Sequence, residues 1–214
     1  FKELGIREPN YLLNVGKDSY KHFDQLSYLC VAIPRIFEEN NITPDLIIFL
    51  GDSNSVGISY SLKKAGYKIA HIEAGMRSYD KRMLEEINRT VCDHCSDLLF
   101  VYHDDYLKNL ELENIKQNVH VVGNTIKEPL LKIKPFIASE QKQNNCILVD
   151  IHRPENFNYT ERLHSIIHFA NMCNLKYNLP VKLIYFKRLQ ESIEKNSLSL
   201  GNVEIIPLMS FSDY

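Results

Sequence analysis

The chain has no surplus of either charge: 25 basic residues stand against 27 acidic ones, a formal net charge of −2 in 214 residues. So even a balance leaves no electrostatic footprint for nucleic acid or for an anionic membrane surface, and neither is expected as a partner. No apolar run approaches the roughly 20 residues of a membrane-spanning helix. The five cysteines (Cys30, Cys92, Cys95, Cys146 and Cys173) are an odd number without framework spacing. Reduced, mostly buried thiols in a cytoplasmic protein are therefore expected, not a disulfide scaffold. No Gly-x-Gly-x-x-Gly fingerprint and no Walker-type loop occurs, which disfavours nicotinamide and P-loop chemistry. A phosphate-bearing ligand would then have to be held by backbone amides and a few arginines. Neither an initiator Met nor a signal pattern opens the chain, which starts Phe1-Lys2-Glu3, so further sequence upstream is expected.

What is present is an ordinary globular composition, 44% hydrophobic and 24% charged, arranged in a regular alternation. Short β-branched runs at 45–50, 68–73, 98–102, 119–122, 146–151, 181–186 and 203–206 read as strands. Amphipathic stretches at 55–65, 84–95, 106–113, 125–132, 160–174 and 188–195 read as helices. Gly66 reads as the stop after the first of these helices. Strands alternating with helices imply parallel βαβ units in a sheet covered on both faces, an α/β fold. The polar stretch 135–145 reads as a linker. It divides a first Rossmann-like lobe, 1–134, from the start of a second, 146–214, with a cleft expected between them. A long helical pattern at 18–40 contains Pro34, which should kink or break it.

In open parallel sheets, ligands sit beyond the carboxyl ends of the strands. Those positions here are Gly51-Asp52-Ser53, Glu73-Ala74-Gly75, Gly123-Asn124-Thr125 and His152-Arg153. Asp52 is equally well accounted for as a helix cap or turn former. Glu73 is harder to explain blandly, because a carboxylate closing an apolar strand beside two small residues is costly unless paired or used. Glu85 and Arg89 stand four apart on one helix face with Asn88 and Cys92, which leaves Leu84, Ile87 and Val91 to face the core. A first-turn acid complementing the helix dipole, with an ordinary surface ion pair, explains Glu85 just as well. His152 follows a buried strand and precedes Arg153, a suitable place for proton transfer or phosphate contact. Cys92-Asp93-His94-Cys95 resembles half a zinc site, but a single pair inside a helix reads as core, and no metal is expected. The Gly123-Asn124-Thr125 turn opens a helix whose free amides could take an anion.

Taken in order, several segments resemble the non-hydrolysing UDP-N-acetylglucosamine 2-epimerases. They are Gly51-Asp52-Ser53-Asn54-Ser55, His71-Ile72-Glu73-Ala74-Gly75-Met76-Arg77, Glu85-Glu86-Ile87-Asn88-Arg89, Asp93-His94, Gly123-Asn124-Thr125 and His152-Arg153-Pro154-Glu155-Asn156-Phe157. The resemblance implies two Rossmann-like lobes like those of the GT-B glycosyltransferases, a homodimer, and a UDP-sugar substrate. It also implies epimerisation at sugar carbon 2 by elimination and re-addition of UDP, without metal or redox cofactor. The family's catalytic groups fall on Asp52, Glu73, Glu85 and His152, and substrate contacts on Arg77, Arg89, Asn124 and Arg153. It further implies a first strand before Phe1 and a UDP-gripping segment after Tyr214, so the chain by itself is expected to be inactive.

Two departures narrow the reading. The loop between Glu73 and Glu85 is short and resembles that of the branch acting on 6-deoxy UDP-N-acetylhexosamines. Phe186-Lys187-Arg188 stands where the family has a His-Pro-Arg-like motif. A hydrolysing relative, a GT-B glycosyltransferase and a non-catalytic nucleotide-sugar-binding or oligomerisation module are the competing readings.

Overall fold

A computed structural model describes residues 5–15, 21–132 and 145–209. The chain divides into two compact units, Phe1–Leu131 and Lys132–Tyr214. The first contains, in chain order, α1 (His22–Glu39), β1 (Ile47–Leu50), a 3-10 turn (Val56–Ile58), α2 (Ser59–Lys64) and β2 (Ile69–Ile72). These are followed by α3 (Leu84–Cys95), β3 (Leu98–Val101), α4 (Asp104–Leu112) and β4 (Val119–Val121), and then by helical turns over 127–132. The four strands pair in parallel in the order β1-β2-β3-β4. The second unit holds β5 (Ile147–Val149), the short α5 (Pro154–Phe157), α6 (Thr160–Tyr177), β6 (Val181–Tyr185), α7 (Lys187–Lys195) and β7 (Val203–Pro207), in a parallel sheet ordered β5-β6-β7. The alternation in the sequence thus yields two parallel α/β units. The expected linker, apart from Asn145, lies outside the described residues.

Strands that neighbour in sequential order must be joined by crossovers of one hand, which brings every connecting helix to the same face of the sheet. Phe49, His71 and Leu99 are in register across β1, β2 and β3, and all are buried under that helical layer. Phe49 packs with Val56, Ile58, Leu62, Ile69 and Cys92, while Leu99 and Val101 pack with Ala74 and Leu110. Each fully buried Leu or Ile in this layer contributes about 1.5–3 kcal/mol. The opposite face is open at its edge: Ile48 and Leu50 are 59% and 60% exposed. Further in on that face Ala70 is buried and Ile72, Leu98 and Phe100 are partly buried, so among the described residues the exposure is confined to the β1 edge.

Other sequence expectations are corrected in detail. Pro34 neither breaks nor ends α1, which runs through it from His22 to Glu39. A proline removes one intrahelical bond, and α1 is held before it by Leu26, Leu29 and Ile33 against the core and after it by Phe37, edge-on to Tyr67 at 5.5 Å. Of the five cysteines, all free, only Cys92 is buried and the other four are partly exposed. The short α5 after Arg153 was not foreseen; Pro154 at its first turn supplies a fixed φ suited to starting it. Gly66 does end α2, turning left-handed at φ +91° while Tyr67 N bonds Leu62 O at 3.2 Å.

Gly75 is a different case. Its φ is +76°, and a Cβ there would run into the carbonyl oxygen of Tyr106, whose carbon would lie 3.0 Å away. Gly75→Ala should therefore cost on the order of 2–4 kcal/mol in urea unfolding, combining backbone strain with overpacking against a fixed peptide. Gly66→Ala, with no atom near its would-be Cβ, should cost only about 1 kcal/mol. Equal losses in the two variants would show that the close approach of α4 is not what Gly75 serves.

Candidate active site

At the carboxyl end of β1 the chain turns left-handed at Gly51 (φ +77°), and at the end of β2 it does so at Glu73 (φ +73°). The backbone amides of Glu73 and Ala74 both donate to Phe100 O at 3.1 Å, which fixes the second turn against β3. The Glu73 carboxylate then lies over Gly51, with Oε2 3.2 Å from where a Cβ would stand. Glycine at position 51 thus lets the two strand ends approach each other.

Helix α3 supplies the countercharge. Arg89 is 8% exposed, and its Nη2 lies 2.6 Å from Asp52 Oδ2 and 3.6 Å from Glu73 Oε1. Asn88 Nδ2 donates to Asp52 O at 3.0 Å. Burial pushes the Glu73 carboxyl above the ordinary glutamate range; the Arg89 charge pulls it back, and Asp52 adds a further push upward. Two acids sharing one guanidinium, one of them with a raised pKa, is the electrostatic pattern of an acid–base site.

A cavity of about 410 Å³ opens beside this cluster, bordered by Asp52, Asn54, Glu85, Asn88, His22 and Gln25. That volume is within the range of small-molecule sites. Glu85 is exposed at its rim on the first turn of α3. His22 and Gln25 come from the start of α1: Asn54 Nδ2 lies 3.0 Å from His22 Nδ1 and donates to Gln25 Oε1 at 2.7 Å. Neither residue was singled out from the sequence, where nothing marks that helix start as part of the site.

The orientation of α3 is the largest correction. Leu84, Ile87 and Val91, expected in the core, are 41%, 45% and 37% exposed. The buried face instead carries Glu86, Arg89, Cys92 and Asp93. Glu86 accepts from Ser78 N, Ser78 Oγ and Tyr79 N at 2.8, 3.1 and 3.0 Å. Asp93 accepts from Gly75 N at 3.0 Å and lies 2.6 Å from His71 Nδ1 and 2.8 Å from Arg77 Nη1. Unsatisfied backbone amides and strand-end charges need polar partners more than the core needs three more aliphatic groups.

The other residues named from the sequence have the following surroundings. The Arg77 side chain is 1% exposed. It donates to Met76 O at 2.8 Å and to both oxygens of Glu113 at 2.6 and 2.8 Å, besides pairing with Asp93. The structure thus spends on protein groups the guanidinium that was expected to meet substrate. Asn124 closes its own turn by accepting from Ile126 N at 3.0 Å. His152 and Arg153 belong to the second unit, just after β5. His152 is exposed, its Nδ1 3.4 Å from Asp150 Oδ1, and Arg153 stands at the N-terminus of α5. Phe186 packs edge-on against Phe157 at 5.4 Å and joins the core of that unit.

Replacing Arg89 by Met should raise the Glu73 pKa further, since burial and Asp52 would then be opposed only by the smaller pull of His71. A carboxyl carbon-13 titration of Glu73 measures this; an unchanged or lower value would show that Arg89 does not control Glu73.

Comparison with known proteins gives the family. The family model described as UDP-N-acetylglucosamine 2-epimerase matches residues 1–214. A UDP-N-acetylglucosamine 2-epimerase of Methanococcus maripaludis is 34% identical over 189 residues, covering 83% of this chain and 50% of that protein. The UDP-2,3-diacetamido-2,3-dideoxy-D-glucuronate 2-epimerase of Pseudomonas aeruginosa is 32% identical over 213 residues, covering 96% of this chain and 58% of that protein. The crystal structure of Methanocaldococcus jannaschii UDP-GlcNAc 2-epimerase in complex with UDP-GlcNAc and UDP matches with a TM-score of 0.87 at 29% identity, over 100% of this chain and 62% of that one. The chain spans about half the length of the curated relatives it matches. Matched from its first residue to its last by one family model, the chain belongs to the UDP-N-acetylglucosamine 2-epimerase family.

Proposed function

We propose that the whole protein interconverts UDP-N-acetylglucosamine and UDP-N-acetylmannosamine by elimination and re-addition of UDP. The observation that carries the reading is the Asp52–Arg89–Glu73 cluster at adjoining strand ends, where two acids share one buried guanidinium. The Methanocaldococcus relative, solved with UDP-GlcNAc and UDP, supports the same ligand class.

Inversion at carbon 2 needs a base on one face of the sugar and an acid on the other. One carboxylate takes the carbon-2 proton, and the C–H electrons become the C1–C2 double bond. The C1–O bond breaks and its electron pair leaves with UDP. UDP then returns to carbon 1 while a proton reaches carbon 2 from the opposite face. Glu73, whose pKa burial raises, is a stronger base than an ordinary glutamate and suits the proton transfer at carbon 2. Glu85 at the cavity rim is the candidate for the second face, and Asp52 and His152 complete the set of acid–base groups. Arg89, Asn124 and Arg153 are the proposed substrate contacts, Arg89 through the carboxylates it holds. No cofactor takes part in this scheme, and the whole protein works as a cytoplasmic homodimer.

The Pseudomonas relative is named for a different UDP-sugar, so the hexosamine itself is part of the test. Full-length protein in D2O with UDP-N-acetylglucosamine should give UDP-N-acetylmannosamine carrying deuterium at carbon 2. Exchange only with a 6-deoxy UDP-N-acetylhexosamine moves the assignment to that branch. Release of free sugar points to the hydrolysing relatives, and no exchange with any UDP-sugar sinks the proposal. Glu73→Gln should lower kcat about 10²–10⁴-fold. Because burial raises the Glu73 pKa, activity that needs its carboxylate should climb with pH through a midpoint above that of an ordinary glutamate.

A further inference from the structure

His71 sits on β2 between Phe49 and Leu99 in register, with none of its surface exposed. It takes no part in the proton transfers above, yet both ring nitrogens are engaged. Nδ1 lies 2.6 Å from Asp93 Oδ1, and Nε2 lies 2.8 Å from the carbonyl oxygen of Gly51. A carbonyl can only accept, so Nε2 must carry a proton. Asp93 already accepts from the Gly75 amide and pairs with the Arg77 guanidinium at 2.8 Å; it meets both as an acceptor, so Nδ1 must donate as well.

We propose that His71 is a positioning residue, a doubly protonated imidazolium clamped between the Gly51 carbonyl and Asp93, that locks the two strand-end turns carrying Asp52 and Glu73. The bond from Nε2 fixes the Gly51–Asp52 peptide plane. The bond from Nδ1 fixes Asp93, whose other oxygen holds Gly75 N two residues beyond Glu73. One ring therefore ties the end of β1 to the end of β2 through α3. Its charge is compensated inside the fold: His71 and Arg77 face Asp93 and Glu113. A neutral ring could keep only one of its two donor bonds, leaving either the carbonyl or the carboxylate unmet.

The groups that set the charge are Asp93 and Cys92 from α3, the Gly51 carbonyl after β1, and Glu73 and Arg77 after β2. Burial opposes the charge, but the hydrogen bond to Asp93 and then the Cys92 contact outweigh it, and the pKa is pushed up to about 10. Folding then takes up a proton between the unfolded value of roughly 6.5 and about 10. The stabilisation is complete below that window and is lost as pH rises through it.

The protonation part of the inference stands by itself; the kinetic part rests on the epimerase reading. In full-length protein, nitrogen-15 imidazole NMR should show His71 doubly protonated with both N–H signals present at pH 8. A neutral ring with a single N–H there overturns the proposal whether or not the protein turns over. In Asp93→Asn the ring should lose its charge at neutral pH, and exchange at sugar carbon 2 should gain a descending limb as pH rises through the lowered His71 pKa. His71→Gln keeps one donor of the two, and should lower kcat about 100-fold with KM changed less than about 3-fold. An Asp93→Asn profile parallel to wild type, or kcat retained in His71→Gln, overturns the positioning role. Absence of exchange in wild type with a doubly protonated ring counts against the epimerase reading alone.

Discussion

Helix α3 turns its charges inward, and the carboxyl edge of the first sheet is organised by that one choice. Glu86, Arg89 and Asp93 recur at the spacing of a single helix face. Each reaches a different piece of backbone or side chain. Glu86 holds the loop at Ser78 and Tyr79, Arg89 the acids at the two strand ends, and Asp93 the turn after Glu73. A helix with an apolar inner face would pack as well against β2, but would leave the amides of Gly75, Ser78 and Tyr79 and the carboxylates of Asp52 and Glu73 without these partners. Buried unmet donors and charges cost more than a few aliphatic contacts return.

Buried ion pairs are weak evidence for stability, since an apolar replacement of similar volume is often neutral or better. What the His71, Asp93, Arg77 and Glu113 set offers is geometry. Its members come from β2, from α3, from the loop between them and from the residue after α4. Hydrogen bonds of 2.6 to 3.0 Å between such elements leave little freedom to slide. That rigidity suits the proposed epimerisation, because small misplacements of a reacting group are costly.

The strands were legible because β-branched runs with polar gaps leave few alternatives, and the strand-end rule then pointed to Asp52, Glu73 and His152 without any partner being known. The helix faces were not. In α3 the apolar set Leu84, Ile87, Val91 and the charged set Glu86, Arg89, Asp93 have similar spacing, so periodicity finds the helix but cannot say which set is inside. The usual hydrophobic-in assignment failed because the surface α3 meets is lined with backbone donors and acids. Arg77 was misread for a related reason. A motif position fixes neighbours along the chain, while its partners Asp93 and Glu113 are 16 and 36 residues away. His71 opens one of the segments that carry the resemblance, but nothing in the sequence pointed to its partners Asp93 and Gly51.

The conformation of Glu73 ties these threads together. Gly51 and Gly123 make left-handed turns at the ends of β1 and β4, at φ +77° and +78°, where glycine does so without penalty. The corresponding position after β2 has the same backbone angle but bears a glutamate, at a cost of roughly 1–2 kcal/mol. Glycine there would fold more easily, and Gly51 shows that the neighbouring strand accepts one. The strain is sustained by the paired amide bonds to Phe100 O and by Asp93 on Gly75. Such strain persists where the surroundings over-determine it, and it clusters at functional sites. The turn aims the Glu73 carboxylate over Gly51 toward Arg89 and Asp52. Strain at position 73, the inward charges of α3 and the clamped ring of His71 are thus parts of one arrangement, which holds a half-desolvated carboxylate at a fixed place on the sheet edge.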